Sequence, residues 1–511
     1  MLVIQLPKLF VLYLALLSLY FLSLVSDVKA LAPDEKNSVR VPVDRPNIIY
    51  ILADDAGYGD LSSYGQKNFK TPNLDQMAAE GMKFTQHYAG STVCAPSRSV
   101  LLTGLHGGRT QIRDNYEVMP VGQLPLRYGT VTLPKVLQGA GYKTGMFGKW
   151  GLGYPDSEGE PALQGFDEFL GFICQRRSHF FYPEYIYKQH SDVAVEKFHL
   201  EGNIVHEVSR ENFQRHGSGP AICPVQYSQD VIMEHALEFI GRHGRSDSPF
   251  FLYIPSQIPH ASLEVPDKWI QLFLDENGDS IFEEDTSHNP GGYTRQDKPM
   301  AAYAAMMTLL DDYVGRILEK LDGMGLAENT LVIFTSDNGS YSEGGYHYAM
   351  HQSNGVLRGG KRDLYEGGIR VPMIARWTGV VPAGVVSDHI SAFDDMLPTF
   401  AELAGVTVPP GLDGVSMVPE LLGQHDLQSD RPYLYWEFHP RGGHQAVRSG
   451  AWKAIRMNVR NNSDSHVELY NLSEDLSEKH NVAADHPEIV KEMLRIMSDA
   501  HIPSHQFPLF K

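Results

Sequence analysis

Short continuous runs of apolar and β-branched residues recur along the chain, separated by longer segments with helical spacing. Four runs have the composition of strands that are buried on both faces: Asn47–Leu52, Thr144–Phe147, Phe250–Ile254 and Leu331–Phe334. Helical spacing is present in Tyr303–Leu321, and in Leu74–Glu80 with Asn73 as the cap and Gly81 as the stop. Alternating strands and helices predict an α/β fold with a large, mostly parallel sheet flanked by helices.

The pattern changes after Gly405. A polar stretch, Gln424–Arg431, is followed by short strand-like runs at 433–438, 445–448 and 452–457. Pro487 then opens an amphipathic helix with a predicted apolar face of Ile489, Met493, Ile496, Met497 and Ala500. We therefore predict a large α/β domain over residues 46–423 and a smaller α+β domain, an antiparallel sheet plus a helix, over residues 424–511.

The N-terminus has the pattern of an export signal. Lys8 precedes an apolar run from Leu9 to Val25, and Val28-Lys29-Ala30 offers a small-residue cleavage site. We predict a signal peptide over residues 1–30 and a polar leader over 31–45, and hence a secreted or periplasmic protein. The alternative is an uncleaved N-terminal anchor, because the run is nearly long enough to span a bilayer.

Composition and charge narrow the choice of partners. The 511 residues include 43 Lys+Arg and 62 Asp+Glu, a formal net charge of −19. A chain this acidic is not expected to bind nucleic acid through its overall field, and an anionic substrate would need a local positive cluster. Three cysteines, Cys94, Cys174 and Cys223, are too few for a disulfide scaffold. The last two either pair in an oxidising compartment or stay free.

Two carboxylate-rich pairs directly follow predicted strands. Asp54-Asp55 comes after NIIYIL, and Asp337-Asn338 comes after LVIFTS. Strand ends of like sense lie at one rim of a parallel sheet, so the two pairs are expected to converge. Clustered carboxylates need a compensating charge, and all-oxygen ligands favour Ca²⁺ or Mg²⁺ over zinc. Taken singly, either pair is also typical of loop or cap residues.

The segment from Cys94 to Gly104 is the most informative in the chain. Pro96 and the run after it predict a helix beginning there, with its N-terminus facing Cys94 as an anion site. Arg98 adds a fixed positive charge suited to oxyanions. The alternatives are a buried structural cysteine and a thiolate phosphatase, although the latter needs a longer loop between cysteine and arginine.

Cys-x-Pro-Ser-Arg followed by x-x-Leu-x-Thr-Gly resembles the signature of the type I sulfatases. Further matching segments cover nearly all of the mature chain: RPNIIYILADDAGYGDLSSYG, TPNLDQMAAEGMKFTQHY, GYKTGMFGKWGLG, IFTSDNG, LRGGKRDLYEGGIRVP and AVRSGAWKAI with ELYNLSED. The resemblance implies an alkaline-phosphatase-like fold, with a catalytic α/β domain and a small C-terminal domain. It also implies that a formylglycine-generating enzyme oxidises Cys94 to formylglycine, an aldehyde that hydrates to a gem-diol.

The resemblance assigns a role to each motif residue. Asp54, Asp55, Asp337 and Asn338 match the metal ligands, usually for Ca²⁺ and less often for Mg²⁺, and modified Cys94 also touches the metal. Arg98 matches the arginine that holds the formylglycine hydrate. Near the sulfate and the leaving oxygen, the matching residues are Lys149, His260 and Lys361, the last also a candidate proton donor.

One position departs from the family pattern. Many sulfatases read Gly-Lys-Trp-His-Leu-Gly, whereas this chain has Gly151 in place of the histidine. The missing side chain is usually credited with helping the sulfated intermediate collapse. Three histidines on loops are candidates for a substitute, although each is also typical of a pocket or surface residue: His179, His347 and His351.

The implied reaction is hydrolysis of an O-sulfate ester by a hydroxyl of the formylglycine hydrate, with cations stabilising the sulfate. One alternative is a phosphomonoesterase or phosphodiesterase on the same fold, and another is a catalytically silent protein that binds sulfated glycans. Export and the aromatic-rich segment 155–220 suggest a sulfated saccharide as substrate, with aryl sulfates as the other substrate class. Trp436, Glu437 and His439 are predicted to help line its pocket.

Overall fold

The computed structural model describes residues 45–510 except 192, 206–218, 286, 288 and 461–464. The predicted signal peptide and most of the leader therefore lie outside the described residues. Strands are numbered in chain order: β1 Asn47–Asp54, β2 Met82–Tyr88, β3 Lys143–Lys149, β4 Glu168–Phe172, β5 Tyr185–His190, β6 Glu196–His199, β7 Ile204–Val205, β8 Ala221–Cys223, β9 Phe250–Pro259, β10 Thr330–Ser336, β11 Arg370–Arg376, β12 Val385–Ser387, β13 Ser391–Ala392, β14 Leu434–Phe438, β15 His444–Ser449, β16 Trp452–Met457 and β17 Val467–Asn471.

The α-helices are numbered in the same way: α1 Pro72–Ala79, α2 Cys94–Thr103, α3 Leu133–Gly139, α4 Ser228–His243, α5 Asp267–Ile270, α6 Pro299–Met324, α7 Glu366–Ile369, α8 Met396–Leu403, α9 Val418–Leu421 and α10 Pro487–Ala500. Within the described residues, no helix has both the length and the apolar composition that crossing a membrane requires.

The four predicted buried strands form the centre of one large sheet, in the order β10-β1-β9-β3, and all four run parallel. Antiparallel strands flank this centre, because β11 pairs with both β10 and β2, and β5 pairs with both β4 and β6. Side chains alternate between the two faces of β1. Ile49 and Ile51 belong to the same apolar cluster as helix α6, whereas Tyr50 contacts Phe400 of α8. Helices thus cover both faces, and the predicted fold class is confirmed.

Helix α1 begins two residues earlier than its sequence predicts. Pro72 occupies the first turn, where its missing N–H is not needed, and Asn73 lies inside the helix rather than capping it. The capping group comes instead from α6: the carboxylate of Asp311 accepts hydrogen bonds from the backbone amides of Asn73 at 3.1 Å and Leu74 at 2.8 Å. A cap supplied from a distant segment leaves no local sequence signal.

The C-terminal part forms an antiparallel sheet in the order β14-β15-β16-β17, of which β17 was not predicted as a strand. Helix α10 covers one face of this sheet with the predicted apolar residues, of which Met493, Ile496, Met497 and Ala500 are buried. On the other face, Trp436 and Ile455 pack against Tyr88 and Ile369 of the large-sheet region. The two sheets lie in one compact unit. A domain boundary at residue 423 stays a prediction.

Candidate active site

Two neighbouring parallel strands bring the acidic pairs together. Ala53 of β1 lies in register with Ser336 of β10, so the residues that follow each strand emerge side by side. The backbone N–H of Asp55 donates to Asp337 Oδ1 at 3.1 Å, and Asn338 Nδ2 donates to Asp55 Oδ1 at 2.6 Å. Asp55 has a left-handed backbone, with φ 68°, which turns the chain sharply at the end of the strand.

Each of the three buried carboxylates has a buried cationic partner. Lys149 Nζ at the end of β3 lies 2.5 Å from Asp54 Oδ2, and Lys361 Nζ lies 2.7 Å from Asp55 Oδ2. From helix α2, Arg98 donates to Asp337 Oδ2 through Nε at 3.1 Å and through a terminal nitrogen at 2.9 Å. Each carboxylate is thus neutralised by a side chain of the protein, and the three cationic side chains lie close together.

The charges affect the carboxylates unequally. Burial by itself raises the pKa of Asp54, but the cations around it, Lys149 above all, hold that pKa well below its usual range. Burial and the neighbouring charge of Asp54 raise the pKa of Asp337 despite its contact with Arg98. The raised pKa of Asp337 indicates that its surroundings disfavour its negative charge, and a further positive charge nearby would offset that cost.

Cys94 is the first residue of helix α2, rather than preceding a helix that begins at Pro96. Its Sγ lies 3.3 Å from Asp54 Oδ1 and 3.7 Å from Lys149 Nζ. Burial and the carboxylate of Asp54 raise the pKa of the Cys94 thiol well above its ordinary value. Because a cysteine nucleophile needs a lowered pKa, this position does not suit a thiolate enzyme.

His260 follows directly after β9 and joins the same cluster. Its Nε2 lies 3.0 Å from Lys361 Nζ and 3.4 Å from Asp55 Oδ2, while Nδ1 faces the carbonyl oxygen of Ala261. Burial and Lys361 lower the pKa of His260, which favours the neutral ring. A neutral ring that donates from Nδ1 to the carbonyl presents its Nε2 lone pair to the lysine.

The donor set fits a hard divalent cation. Asn338 Oδ1 is buried without a hydrogen-bond partner among the described residues, on an amide whose nitrogen donates to Asp55. One ligand atom each from Asp54, Asp55, Cys94 and His260 lies within 4.8 Å of the others. An orphaned amide oxygen among carboxylate oxygens is the kind of group that a calcium-type ion satisfies. Asp337, predicted as a ligand, is turned mainly towards Arg98.

Above this cluster opens a cavity of about 590 Å³. Cys94, Lys149, His260 and Lys361 form its floor, and the other lining residues are Val93, Asp114, Asn115, Glu117, Gln123, Gln175, Arg176, His179, Tyr293, Arg362, Phe438, Pro440 and Arg441. A small cationic floor below an open cavity suits an anionic group at the end of a larger substrate.

The comparisons agree with this chemistry. A family model described as Sulfatase matches residues 46–406, and the C-terminal model of N-sulphoglucosamine sulphohydrolase matches residues 359–501. The chain belongs to the sulfatase family. N-acetylgalactosamine-6-O-sulfatase of Bacteroides thetaiotaomicron is 31% identical, with 89% of this chain and 92% of the relative covered. Arylsulfatase A of Homo sapiens is 33% identical, with 88% and 87% covered.

A similar solved structure is the crystal structure of Ps i-CgsB in complex with k-i-k-neocarrahexaose. It has a TM-score of 0.70 and 28% identity, covering 89% of this chain and 92% of that one. The predicted family and the predicted activity are thus confirmed: this sulfatase hydrolyses sulfate esters. The phosphoesterase and the silent glycan-binding alternatives lose their support.

At Gly151, where many sulfatases have a histidine, a glutamine fills the space. A Cβ atom at Gly151 would lie 2.6 Å from Gln175 Nε2, and the backbone has φ 84°. Of the three substitute histidines, His179 alone lines the cavity, where its ring stacks on His260 with centroids 4.6 Å apart. His347 is exposed, and His351 is buried against Asn68 and the Met300 carbonyl.

The predicted contribution of residues 436–439 to the pocket is wrong in detail. Trp436 is buried between the two sheets and donates to the Ala89 carbonyl at 2.9 Å. Glu437 and His439 are buried and paired with each other at 3.0 Å. The pocket residues from this part of the sulfatase are instead Phe438, Pro440 and Arg441, because β14 reaches the cavity only at its end and in the turn that follows.

Several lining residues gave no sequence signal. Segment 155–220 contributes Gln175, Arg176 and His179, as its composition suggested, whereas Asn115 and Arg362 were not singled out. Asn115 Oδ1 accepts from the backbone amide of Ala95 at 3.0 Å, in the first turn of α2. Cys174 is buried, Cys223 lies in β8, and neither forms a disulfide in the structure.

Proposed function

We propose that this sulfatase removes sulfate from an O-sulfated saccharide, with Cys94 as the precursor of a formylglycine nucleophile. The observation that carries the proposal is the position of Cys94 Sγ on the cavity floor, 3.3 Å from Asp54 Oδ1 and 3.7 Å from Lys149 Nζ. A high-pKa thiol there is a poor nucleophile, whereas a hydrated aldehyde would supply a hydroxyl group for attack on sulfur.

The metal that we propose is Ca²⁺, with Mg²⁺ as the second choice. Asp54, Asp55, Asp337 and Asn338 would hold it, with the modified Cys94 beside it. Such an ion would stabilise negative charge on the sulfate and orient the nucleophile. The orphaned Asn338 oxygen and the all-oxygen character of these four side chains support this assignment.

The cations of the chain itself have separate roles in the proposal. Arg98 is fixed by Asp337 and holds the nucleophile end, while Lys149 and Lys361 face the cavity and neutralise sulfate oxygens. Lys361 Nζ lies 3.0 Å from His260 Nε2, to which it donates a hydrogen bond, and this lysine–histidine pair would supply the proton for the leaving oxygen. The Nδ1 contact with the Ala261 carbonyl orients the ring for that transfer.

Burial constrains how Cys94 is modified. The residue is 2% exposed, so a formylglycine-generating enzyme could reach its side chain only before the chain folds. Such early modification agrees with export, for which the proposed signal peptide over residues 1–30 and a secreted or periplasmic location would provide the route.

Two measurements test the proposal together. Mass spectrometry of the Cys94 peptide from the native host is expected to show the exchange of –CH₂SH for –CHO. A panel of defined sulfated saccharides is expected to release sulfate with the wild type and not with Cys94→Ala, while Cys223→Ala serves as the matched control. An unmodified thiol, or equal release from wild type and Cys94→Ala, contradicts it.

A further inference from the structure

We propose that Arg441 and Arg362, at the mouth of the cavity, bind a second anionic group of the substrate. The ligand class is a sulfated saccharide whose adjoining position carries a carboxylate or another sulfate. This inference rests on the proposed function, because it places the scissile sulfate on the floor of the same cavity. The two guanidinium groups would then bind an anionic group of the substrate other than the sulfate ester that is cleaved.

Arg441 is the more loosely held of the two. It lies in the turn after β14, lines the cavity, and its side chain is 57% exposed. Among the described residues its guanidinium makes one ion pair, with Asp363 Oδ1 at 3.3 Å. An arginine has five N–H donors, so most of them remain available for an oxyanion.

Arg362 connects the mouth to the cavity floor. It directly follows Lys361, and a terminal nitrogen of Arg362 lies 2.5 Å from Glu343 Oε1. The other oxygen of Glu343 lies 3.7 Å from Lys361 Nζ, so both cations are anchored to one carboxylate. An anion held by Arg362 would therefore sit next to the sulfate end of the cavity.

Both arginines have strained backbones. The φ of Arg441 is 53° and that of Arg362 is 77°, in the left-handed region that favours glycine. Non-glycine residues in this region are concentrated at ligand-binding sites, because a strained backbone persists where it orients a functional side chain. Two such residues lining one cavity support a shared binding role.

The charge of the lining agrees with an anionic ligand. Five cationic residues line the cavity, Lys149, Arg176, Lys361, Arg362 and Arg441, against the acidic Asp114 and Glu117. All three arginines are ion-paired, but the Arg176 side chain is only 5% exposed, whereas those of Arg362 and Arg441 are 36% and 57% exposed and can turn towards a ligand. Partly exposed ion pairs such as Arg441–Asp363 are weak, about 0–1 kcal/mol, so an incoming anion competes with them readily.

The test compares three saccharides that share one sulfated sugar and differ in the neighbouring sugar, which is neutral, a uronate or sulfated. Calorimetry with the Cys94→Ala protein gives affinities without turnover, and initial rates with the wild type give KM and kcat. Arg441→Gln and Arg362→Gln are the variants. Arg495→Gln, in an exposed ion-paired arginine on α10, is the matched control.

We expect each cavity variant to weaken binding of the doubly anionic saccharides about 10-fold or more, with binding of the neutral-neighbour saccharide hardly affected. Arg441→Gln, which does not touch the Glu343–Lys361 pair, should act on KM more than on kcat. Comparing the affinities for the uronate-containing and the doubly sulfated saccharide identifies the preferred anion. Equal losses for all three saccharides, or no preference of the parent protein for a second charge, overturn the inference. Affinity differences that persist without any sulfate release support the subsite and contradict the proposed function instead.

Discussion

Lys149 Nζ lies 2.5 Å from Asp54 Oδ2, and both side chains are almost fully buried. The same relationship joins Lys361 to Asp55 and Arg98 to Asp337. A cation bound by the carboxylates would weaken these pairs and leave the ammonium groups to face an anion in the cavity. We infer that cation binding below and sulfate binding above are linked in this site.

Lys149→Gln tests this linkage. Removing one partner of a buried ion pair costs about 3–5 kcal/mol, because the other charge stays uncompensated. We therefore expect a marked loss of Tm in EDTA and a smaller loss in saturating Ca²⁺, which would replace the missing charge. Sulfate release should fall about 100-fold or more in either case. Thermal unfolding with and without Ca²⁺, together with initial rates, measures both effects.

Lys143→Gln is the matched control, because Lys143 lies at the exposed start of the same strand, β3. It should change neither Tm nor rate. An equal loss of Tm with and without Ca²⁺ in Lys149→Gln would argue against a cation at these carboxylates.

Metal removal from the wild type is the second prediction. EDTA should lower both Tm and sulfate release, and Ca²⁺ should restore them at lower concentration than Mg²⁺, since the site offers several carboxylate and amide oxygens. A ligand present at 100 times its Kd stabilises by about 2.7 kcal/mol, which a thermal shift detects. Asp55→Asn should reduce the Ca²⁺-dependent shift, whereas the exposed Asp485→Asn should not. A full shift in Asp55→Asn contradicts the assignment.

Gly151→His tests whether the family histidine can simply be restored. The new Cβ would lie 2.6 Å from Gln175 Nε2, on a backbone with φ 84°, and the left-handed conformation alone costs about 1–2 kcal/mol. We expect a lower Tm and no gain in rate. The double variant Gly151→His/Gln175→Gly should regain part of the Tm, because it removes the clash.

Gly129→Ala is the control for that substitution, because a Cβ there meets no atom within 4 Å. It should leave Tm nearly unchanged. A Gly151→His protein as stable as the wild type would show that Gln175 moves aside freely.

The convergence of the two acidic pairs is predictable from the sequence for a physical reason. Asp54 and Asp337 follow buried parallel strands, and parallel strands of one sheet end at the same rim. Their convergence therefore needs no knowledge of loops. Because β1 and β10 are parallel neighbours in the sheet, residues 54–55 lie next to residues 337–338.

The walls of the cavity were not predictable in the same way. Arg441 reaches the cavity only because the C-terminal sheet packs on the large sheet through Trp436, and Gln175 fills space that is open only because residue 151 is glycine. Likewise, the cap of α1 comes from Asp311 of a distant helix. Such contacts depend on tertiary packing, which has no local pattern in the sequence.

A buried charge cluster lies between the two sheets. Lys453 Nζ lies 2.9 Å from both Glu366 Oε1 and Glu478 Oε1, and Glu478 Oε2 accepts from the Glu366 amide at 2.6 Å. Burial and the Glu366 carboxylate raise the pKa of Glu478 to about 7. This is above its unfolded value of about 4.3, so the protonated form is favoured by folding.

The stabilisation linked to that proton is fully present below the unfolded pKa and is lost as the pH rises through about 7. We therefore expect the Tm of the wild type to fall between pH 5 and 8 relative to Glu478→Gln, which mimics the protonated group. Glu474→Gln, in an exposed residue nearby, should follow the wild type. Thermal unfolding across this range measures the difference, and parallel curves for Glu478→Gln and wild type would mean that Glu478 is ionised throughout, with Lys453 balancing it.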